Sequence, residues 1–468
     1  MKQKTSPIKR TASWTIFVAA AIIIGLVWNS TQLAEARSAG NISASKRMGN
    51  VPPQYQIFDI GVVVTGDSAS QGFGVSPNGT AVGRSIRTGG AQAFSWTSGG
   101  GIVGLPNLAA RPFCVSNSAN NTGTVVGTCA TTLFGTSRLP VIWQGGAVSQ
   151  IPLPSGETLG DANDVNASGV VVGSVNSGSL QKAVYYSGGT ATLISQTTSG
   201  GSFFTTAFGV NDSGRIIGTG IDPSNAARNV GMVFDIGSSS AFEVGALPNA
   251  NGALAFGVGN GGHVVGSSMM NQGSGLPFIW TQVGGMVAIP LPIDTSQGSA
   301  RAVNSAGWAV GTASSAFAIP FLYDGTATYR LQDLLPAGTG WDLSMNTSSS
   351  ALGISDGNVI VGTGVFNGQT HAYAMVPVVA SNVSVGGRVV TSSGQGISRA
   401  IVSISGGNLP SGIKIQTGSF GYFNFPNLQT GQTYTITVGS KRYTFAQPTR
   451  MVTPQADVTN FDFTADPL

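Results

Sequence analysis

Apolar residues in this chain occur in short runs that are separated by Asn, Ser and Gly. One arrangement recurs: Val, then Asn or Ser, a few turn residues, Gly, two apolar residues and a final Gly. It is seen in "GVNDSGRIIGTG" (209–220), "GVSPNGTAVGRS" (74–85), "DVNASGVVVGSV" (164–175) and "AVNSAGWAVGTA" (302–313). This repeat motif predicts a hairpin in which Asn bonds its own backbone and Gly takes a positive φ. The final glycines of the motif are Gly83, Gly127, Gly173, Gly218, Gly266, Gly311 and Gly362.

The seven motif copies are spaced by 44, 46, 45, 48, 45 and 51 residues. A period of about 40–50 residues with strand-like content is typical of propeller blades. After each motif come an aromatic third strand, such as "AFSW" (93–96), and an apolar fourth strand. The seventh copy lacks the fourth strand, while "YQIFDIGVVV" (55–64) precedes the first copy. We therefore predict an all-β chain with a seven-bladed β-propeller over residues 55–378, closed by this N-terminal strand, with the first strand of each motif lining the axis.

The composition supports many short strands and turns, with 68 Gly among 468 residues. Residues 1–36 combine a basic start, an apolar run from Trp14 to Trp28 and "AEA" (34–36), which is the pattern of a cleaved signal peptide. A retained N-terminal anchor is the alternative. Without residues 1–36 the chain has 18 basic and 17 acidic residues, so its charge gives no reason to expect nucleic acid as a partner. We predict a secreted protein, extracellular or periplasmic, with no membrane span in the mature chain.

The two cysteines, Cys114 and Cys129, flank one motif copy at equal distances from its turn. A hairpin places such residues opposite one another on antiparallel strands, where a disulfide can form. An exported protein favours the disulfide, and two buried thiols are the alternative.

The motif, together with "HAY" (371–373) and "QAF" (92–94), resembles the HAF-repeat family of bacterial secreted proteins over about residues 55–378. Only His371 keeps the histidine of the family name. The resemblance implies a propeller-like extracellular protein and brings no catalytic residues.

A linker at 379–384 and a β-sandwich at 385–465 follow the propeller in the sequence. The stretch "GYFNFPNL" (421–428), with Gly431 and Tyr434, resembles the carboxypeptidase regulatory-like domain. That resemblance implies an accessory, non-catalytic module with a transthyretin-like fold.

The loops between second and third strands, and those between blades, share one end of the predicted propeller, which we call the loop face. These loops vary in length, and variable loops on a rigid scaffold commonly bind partners. A second candidate patch lies at the opposite end, the turn face, where Arg215, His263 and Trp308 follow the turn glycine in successive blades. For Trp341 the alternative is a packing role between blades. The loop-face candidates are Trp341, Arg87, Arg138, Arg228, Phe134, Met269 and Met270.

Catalytic chemistry has little support in the sequence. The chain has two histidines, no G-x-S-x-G elbow and no Cys or His cluster, so we predict no catalytic triad, no metal and no cofactor. Cleavage of a glycosidic bond needs two carboxylates. The candidates for that role are Glu157, Asp161, Asp164, Asp222, Asp294 and Asp342. Four of them are predicted to lie in loops between blades: Glu157, Asp161, Asp294 and Asp342.

Three functions remain open from the sequence. The first is an exported, non-enzymatic binding or scaffold protein whose partner is an unknown protein or glycan at the cell surface. The second is a propeller enzyme that acts on polysaccharide through loop carboxylates. The third is a structural surface protein that associates with itself.

Overall fold

A computed structural model of the chain describes residues 52–467, apart from residues 133, 134, 136, 179, 227, 271–273, 379–381, 408 and 455. The predicted signal peptide, 1–36, lies outside the described residues. From residue 54 onward the chain forms two compact units, residues 54–377 and 378–467. Both are built from β-strands, and the first also contains a 3₁₀ turn at Leu331–Leu334.

The first unit is a β-propeller whose blades are four-stranded antiparallel sheets, and six of them use four consecutive strands. The outermost strands of these six are only three or four residues long, which limits the exposed sheet edge. Strand β1 Tyr55–Asp59 belongs to blade 7, which is described below. The strands of blades 1 to 3 are β2 Ala69–Val75, β3 Ala81–Arg87, β4 Gly90–Thr97, β5 Gly101–Gly104, β6 Phe113–Ala119, β7 Val125–Ala130, β8 Arg138–Gln144, β9 Ala147–Gln150, β10 Leu159–Val165, β11 Val171–Asn176, β12 Lys182–Ser187 and β13 Thr190–Leu193. Those of blades 4 to 6 are β14 Phe203–Val210, β15 Arg215–Ile221, β16 Asn229–Asp235, β17 Ser240–Glu243, β18 Ala250–Val258, β19 Val264–Met270, β20 Gly275–Thr281, β21 Gly285–Ala288, β22 Gln297–Val303, β23 Ala309–Ser314, β24 Ala318–Tyr323 and β25 Thr328–Arg330.

The seventh blade closes the ring with both ends of the unit, as the sequence predicted. Its strands β27 Ser350–Ile354, β28 Ile360–Phe366 and β29 Gln369–Pro377 come from the C-terminal side, and β1 pairs with β29 from Tyr55↔Pro377 to Asp59↔Tyr373. A two-residue strand, β26 Trp341–Asp342, also pairs with β28. The closing strand is shorter than the apolar segment 55–64 and ends at Asp59.

A register shift interrupts the first strand of every blade, opposite the final glycine of the motif. In blade 6, for example, Ala300 pairs with Gly311 and Ala302 with Val310, so Arg301 is an extra residue on the first strand. A β-bulge of this kind brings the first-strand backbone close to its partner. A Cβ placed on the motif glycine would lie between 1.8 and 2.0 Å from a first-strand carbonyl oxygen in all seven blades. The glycine is therefore repeated because no side chain fits beside the bulge.

In four of the blades a turn asparagine holds the hairpin and also joins the blade to its neighbour. The side-chain oxygen of Asn166 accepts a hydrogen bond from the Val170 N–H, while its Nδ2 donates to the backbone oxygen of Asn211 in the next blade, 3.0 Å away. Asn120, Asn211 and Asn304 bond in the same two directions. Ser76 and Ser355 replace Asn in blades 1 and 7 and keep the bond within the hairpin.

Aromatic side chains of the third strands fill the spaces between blades. Trp143 pairs with Val125 and Trp280 with Val264, and all four are buried. Buried aromatic rings contribute large apolar areas at defined positions. Each blade thus buries both faces of its sheet only because it has neighbours.

A disulfide joins Cys114 and Cys129 across the first hairpin of blade 2. The two residues are directly opposed in the register of β6 and β7 and are buried. The disulfide predicted from the spacing is present.

The second unit is a sandwich of two sheets. One sheet has the order β33–β30–β36 and the other β32–β31–β34–β35, and side chains of both, such as Phe425 and Ile436, form one core. Strand β30 begins at Asn382, so the last part of the predicted linker belongs to the sandwich. The strands are β30 Asn382–Val390, β31 Ile401–Gly406, β32 Leu409–Gln416, β33 Tyr422–Gln429, β34 Tyr434–Gly439, β35 Thr449–Val452 and β36 Phe463–Thr464.

Replacing a motif glycine should destabilise the propeller strongly. We expect Gly311→Ala to lower the free energy of unfolding by about 3 kcal/mol, because its Cβ meets the Ser299 carbonyl oxygen. Urea unfolding of the variant measures this. The control is Gly99→Ala, where no atom lies within 4 Å of the added Cβ. Equal stabilities of the two variants would contradict the role given to the bulge.

Candidate functional site

The loop-face arginines are tied into ion pairs. Arg87 bonds Asp67 at 3.0 Å and also Gln92. The guanidinium of Arg138 lies 3.2 Å from a carboxylate oxygen of Asp161. These pairs occupy the charged groups that the sequence offered as contacts for a partner.

Arg228 is held by two acids. Its Nε donates to Asp222 at 2.8 Å, and its two terminal nitrogens bond both carboxylate oxygens of Glu243 at 2.9 and 3.0 Å. Hydrogen bonds from Ser224 and Arg228 lower the pKa of Asp222 to about 2. The cluster fixes the loop ahead of β16 and leaves none of these three groups free.

Trp341 lies in the interior, so its assignment as a surface contact was wrong. It is 7% exposed and stacks on Phe366 at 4.9 Å between ring centroids, with Tyr373 edge-on at 5.8 Å. The alternative reading of a packing residue describes its position. Met269 and Met270 are half-buried at the end of β19, and Phe134 lies outside the described residues.

The candidate carboxylates are dispersed and held in place. Glu157 bonds Lys182 at 2.7 Å. Asp294 is exposed and lies 3.5 Å from Arg330. Asp342 accepts hydrogen bonds from the backbone N–H groups of Ser344 and Met345, which outweigh the effect of burial and lower its pKa.

Asp161 lies within β10, not in the loop where the sequence placed it. Burial raises the pKa of this carboxyl although Arg138 and Thr128 lie beside it. Asp161 thus joins blades 2 and 3 through those two residues.

The turn-face patch is occupied by internal contacts as well. Arg215 forms a two-point ion pair with Asp235 at 2.8 and 2.9 Å and donates to Gln282 at 2.7 Å. Trp308 is half-buried against the core of blades 6 and 7. His263 packs beside Gly307 of the next blade, with a buried Nδ1 that lacks a hydrogen-bond partner among the described residues.

The axis of the propeller contains a cavity of about 220 Å³ that no sequence prediction singled out. It is lined by the extra residue of the bulge in every blade. A bulge commonly re-aims a side chain beside a functional site. We call these seven the bulge residues, and they are Phe73, Asn117, Asn163, Phe208, Phe256, Arg301 and Leu352.

A second axial cavity of about 120 Å³ lies toward the turn face. Asp164 and Ser118 line both cavities. Near the turns the wall carries Asp212 and Asp356, which accept backbone N–H bonds from Ala167 and Ser305 of the preceding blades. The two cavities together form an axial channel with acidic groups toward the turn face.

Arg301 differs from the other arginines of the propeller. Its guanidinium carbon lies 4.2 Å from the centroid of the Phe256 ring, and among the described residues it has no ion pair and no side-chain hydrogen bond. Burial lowers the pKa of Arg301 to about 10, although the residue is only half-buried and faces the channel. Every other arginine of this unit has a hydrogen-bond acceptor or an ion-pair partner: Arg84, Arg87, Arg111, Arg138, Arg215, Arg228 and Arg330.

Asp164 places a carboxylate on the opposite side of the channel, in blade 3. It accepts hydrogen bonds from the Ser118 hydroxyl at 2.6 Å, the Val210 N–H at 2.8 Å and its neighbour's N–H at 2.9 Å. Burial outweighs these bonds and raises the pKa of Asp164 to about 6. The group bridges blades 2, 3 and 4.

The bulge residues carried one signal in the sequence. In each motif they lie two positions before the Val, Ala or Ile that precedes the turn. That position varies among Phe, Asn, Arg and Leu while its surroundings repeat. Only the register shift in the structure shows that the side chain at this variable position lines the axis.

Within the described ranges, no group of three His, Cys, Asp or Glu residues is arranged to hold a metal ion. The same part of the chain contains no helix long and apolar enough to span a membrane.

Neither a protein-family model nor a curated protein matches the chain. Similar solved structures include oligogalacturonate lyase from Vibrio parahaemolyticus, with a TM-score of 0.46, 11% identity and coverage of 70% of this chain and 98% of that one. YCF48 bound to D1 peptide has a TM-score of 0.43, 11% identity and coverage of 70% and 99%. Virginiamycin B lyase from Staphylococcus aureus has a TM-score of 0.39, 12% identity and coverage of 70% and 100%.

Removing the charge of Arg301 should stabilise the ligand-free protein. The lowered pKa means that the cation is disfavoured in the folded state at every pH below about 10, including neutral pH. We expect Arg301→Met to raise the free energy of unfolding at pH 7 by about 1 kcal/mol, after the loss of stacking on Phe256. Urea unfolding tests this. The control is Arg84→Met, which removes an arginine that, unlike Arg301, donates a hydrogen bond to Gln71. A loss of stability in Arg301→Met would show that the cation is satisfied.

Asp164 should make stability fall as pH rises. Its folded-state pKa of about 6 lies above the ordinary value of 3.8. Its contribution is therefore fully present below pH 3.8 and lost as pH rises through 6. We expect unfolding free energies at pH 4 and pH 7 to differ by about 2 kcal/mol more in the wild type than in Asp164→Asn. An identical pH dependence in both proteins would contradict the raised pKa.

Proposed function

We propose that this protein is an exported, non-enzymatic binding protein whose propeller holds a small ligand in the axial channel. The observation that carries the proposal is the state of Arg301. The arginines of the loop face have acidic partners, whereas Arg301 lines a cavity and has no such partner among the residues that the structure describes. A pocket with a few convergent polar groups among apolar and aromatic ones is the usual form of a small-molecule site.

The arrangement of the acids favours binding over catalysis. Glycoside cleavage requires one carboxyl to give a proton while a second acts as base or nucleophile. Glu157, Asp161 and Asp222 are paired with basic neighbours, and Asp342 is held by backbone N–H groups. These groups hold loops and neighbouring blades in place, which is why we do not assign them roles as acid and base.

Two further features fit an exported protein. The signal-peptide pattern of residues 1–36 and the Cys114–Cys129 disulfide both belong to proteins of oxidising compartments. We assign the sandwich unit an accessory role, in line with its resemblance to the carboxypeptidase regulatory-like domain.

Filling the channel should abolish binding, while the same change on the loop face should not. Purified residues 37–468 would be screened by thermal shift against glycans, amino acids and organic acids, with an assay for reducing-sugar release on every hit. We expect Leu352→Trp, which fills the axial cavity, to remove the shift. The matched control is Leu180→Trp, at an exposed position ahead of β12, and it should bind as the wild type does.

The opposite pattern would place the site on the loop face, as the sequence first suggested. Release of sugar that is lost in variants of the loop carboxylates would replace the binding function by an enzymatic one. Unchanged hits in both Trp variants would show that the channel is not the site.

A further inference from the structure

The axial channel holds two charges of opposite sign that do not compensate each other. Arg301 belongs to blade 6 and Asp164 to blade 3 of a seven-bladed ring, so they lie on opposite walls of the same cavity. No ion pair joins them. Neither side chain therefore forms an ion pair with another described residue.

The wall formed by blades 2 and 3 presents acceptors. The Nδ2 of Asn117 donates to the Ala162 carbonyl oxygen and that of Asn163 to the Ala207 carbonyl oxygen, both at 2.8 Å. This fixes the orientation of the two amides and leaves each Oδ1 without a donor among the described residues. Asp164 follows Asn163 directly on β10.

The opposite wall presents donors and rings. A guanidinium carries five N–H groups and binds carboxylates through two of them. Phe256 supports the Arg301 guanidinium from one side, and Phe208 packs against Phe256 at 5.8 Å between centroids. Arg301 is thereby held in position without using any of its donors.

Charge also differs along the axis of the channel. Asp164, Asp212 and Asp356 line the part of the channel nearer the turns, whereas Arg301 lines only the other cavity. A molecule with one positive and one negative end is favoured in a single orientation in such a field.

We propose that the axial channel binds a small zwitterion, an amino acid in the broad sense of a molecule with one carboxylate and one ammonium group, with its carboxylate on Arg301 and its ammonium group toward Asp164, Asn117 and Asn163. The inference rests on the proposed function and names its ligand class. The cavity of about 220 Å³ is far larger than one water needs, which is about 10–15 Å³. A simple anion would satisfy Arg301 and leave Asp164 unpaired, and a simple amine would do the reverse.

Titration calorimetry on mature wild-type protein at pH 7.5 would test the two ends of the ligand separately. The probes are a panel of free amino acids, the corresponding carboxylic acids without the amine, and the corresponding amines without the carboxylate. We expect at least one amino acid to bind on the order of tenfold or more tightly than either of its halves. A carboxylic acid that binds as tightly as its amino acid would overturn the proposal.

Two variants assign the ends. Arg301→Gln should weaken amino-acid binding on the order of 10- to 100-fold and leave the weak binding of the amine unchanged. Asp164→Asn should weaken amino-acid binding and leave that of the acid unchanged. Arg111→Gln, at a position that lines neither cavity, is the control and should bind normally.

The failures of the two proposals are distinguishable. If a neutral sugar binds, and Leu352→Trp abolishes that binding while Arg301→Gln does not, the channel is a binding site but the zwitterion is refuted. If no probe in either screen depends on Leu352, both the channel site and its ligand class are wrong.

Discussion

The close contact between a glycine and a bulged strand is the constraint on which the whole propeller depends. In each blade the first strand carries an extra residue opposite the motif glycine, and the carbonyl beside this bulge occupies the space of a Cβ. The second strand can therefore carry only glycine at that point. This explains why the number of residues between successive motifs varies while the glycine keeps the same position within each motif.

The same contact creates the interior of the channel. Because the bulge inserts a residue without changing the pairing on either side of it, its side chain is aimed at the axis in all seven blades. The scaffold fixes the backbone and leaves the identity of the side chain free. Phe, Asn, Arg and Leu at equivalent positions then give a symmetric ring an asymmetric lining, which is a requirement for recognising a molecule with two different ends.

The distribution of satisfied and unsatisfied charges separates support from function. On the loop face, long basic side chains bond acids of their own or the next blade, and turn asparagines repeat this between blades on the turn face. Arg301 departs from that pattern, because it has no ion-pair partner among the described residues. Local departures from good packing or pairing are commonly found where a protein binds something.

The sequence by itself determined the all-β class, the number of blades, the closing strand and the disulfide, because these follow from periodicity, turn chemistry and opposed positions on a hairpin. It did not determine which polar side chains are left without a bonding partner inside the protein. Trp341 and the loop arginines looked like contacts, since composition cannot tell a side chain that meets a partner molecule from one that meets another part of the same chain. Arg301 and Asp164 passed unnoticed because their importance depends on a one-residue register shift and on the ring bringing blades 3 and 6 to face each other. Only the tertiary structure decided those positions, since they arise from strand pairing and blade packing between distant parts of the chain.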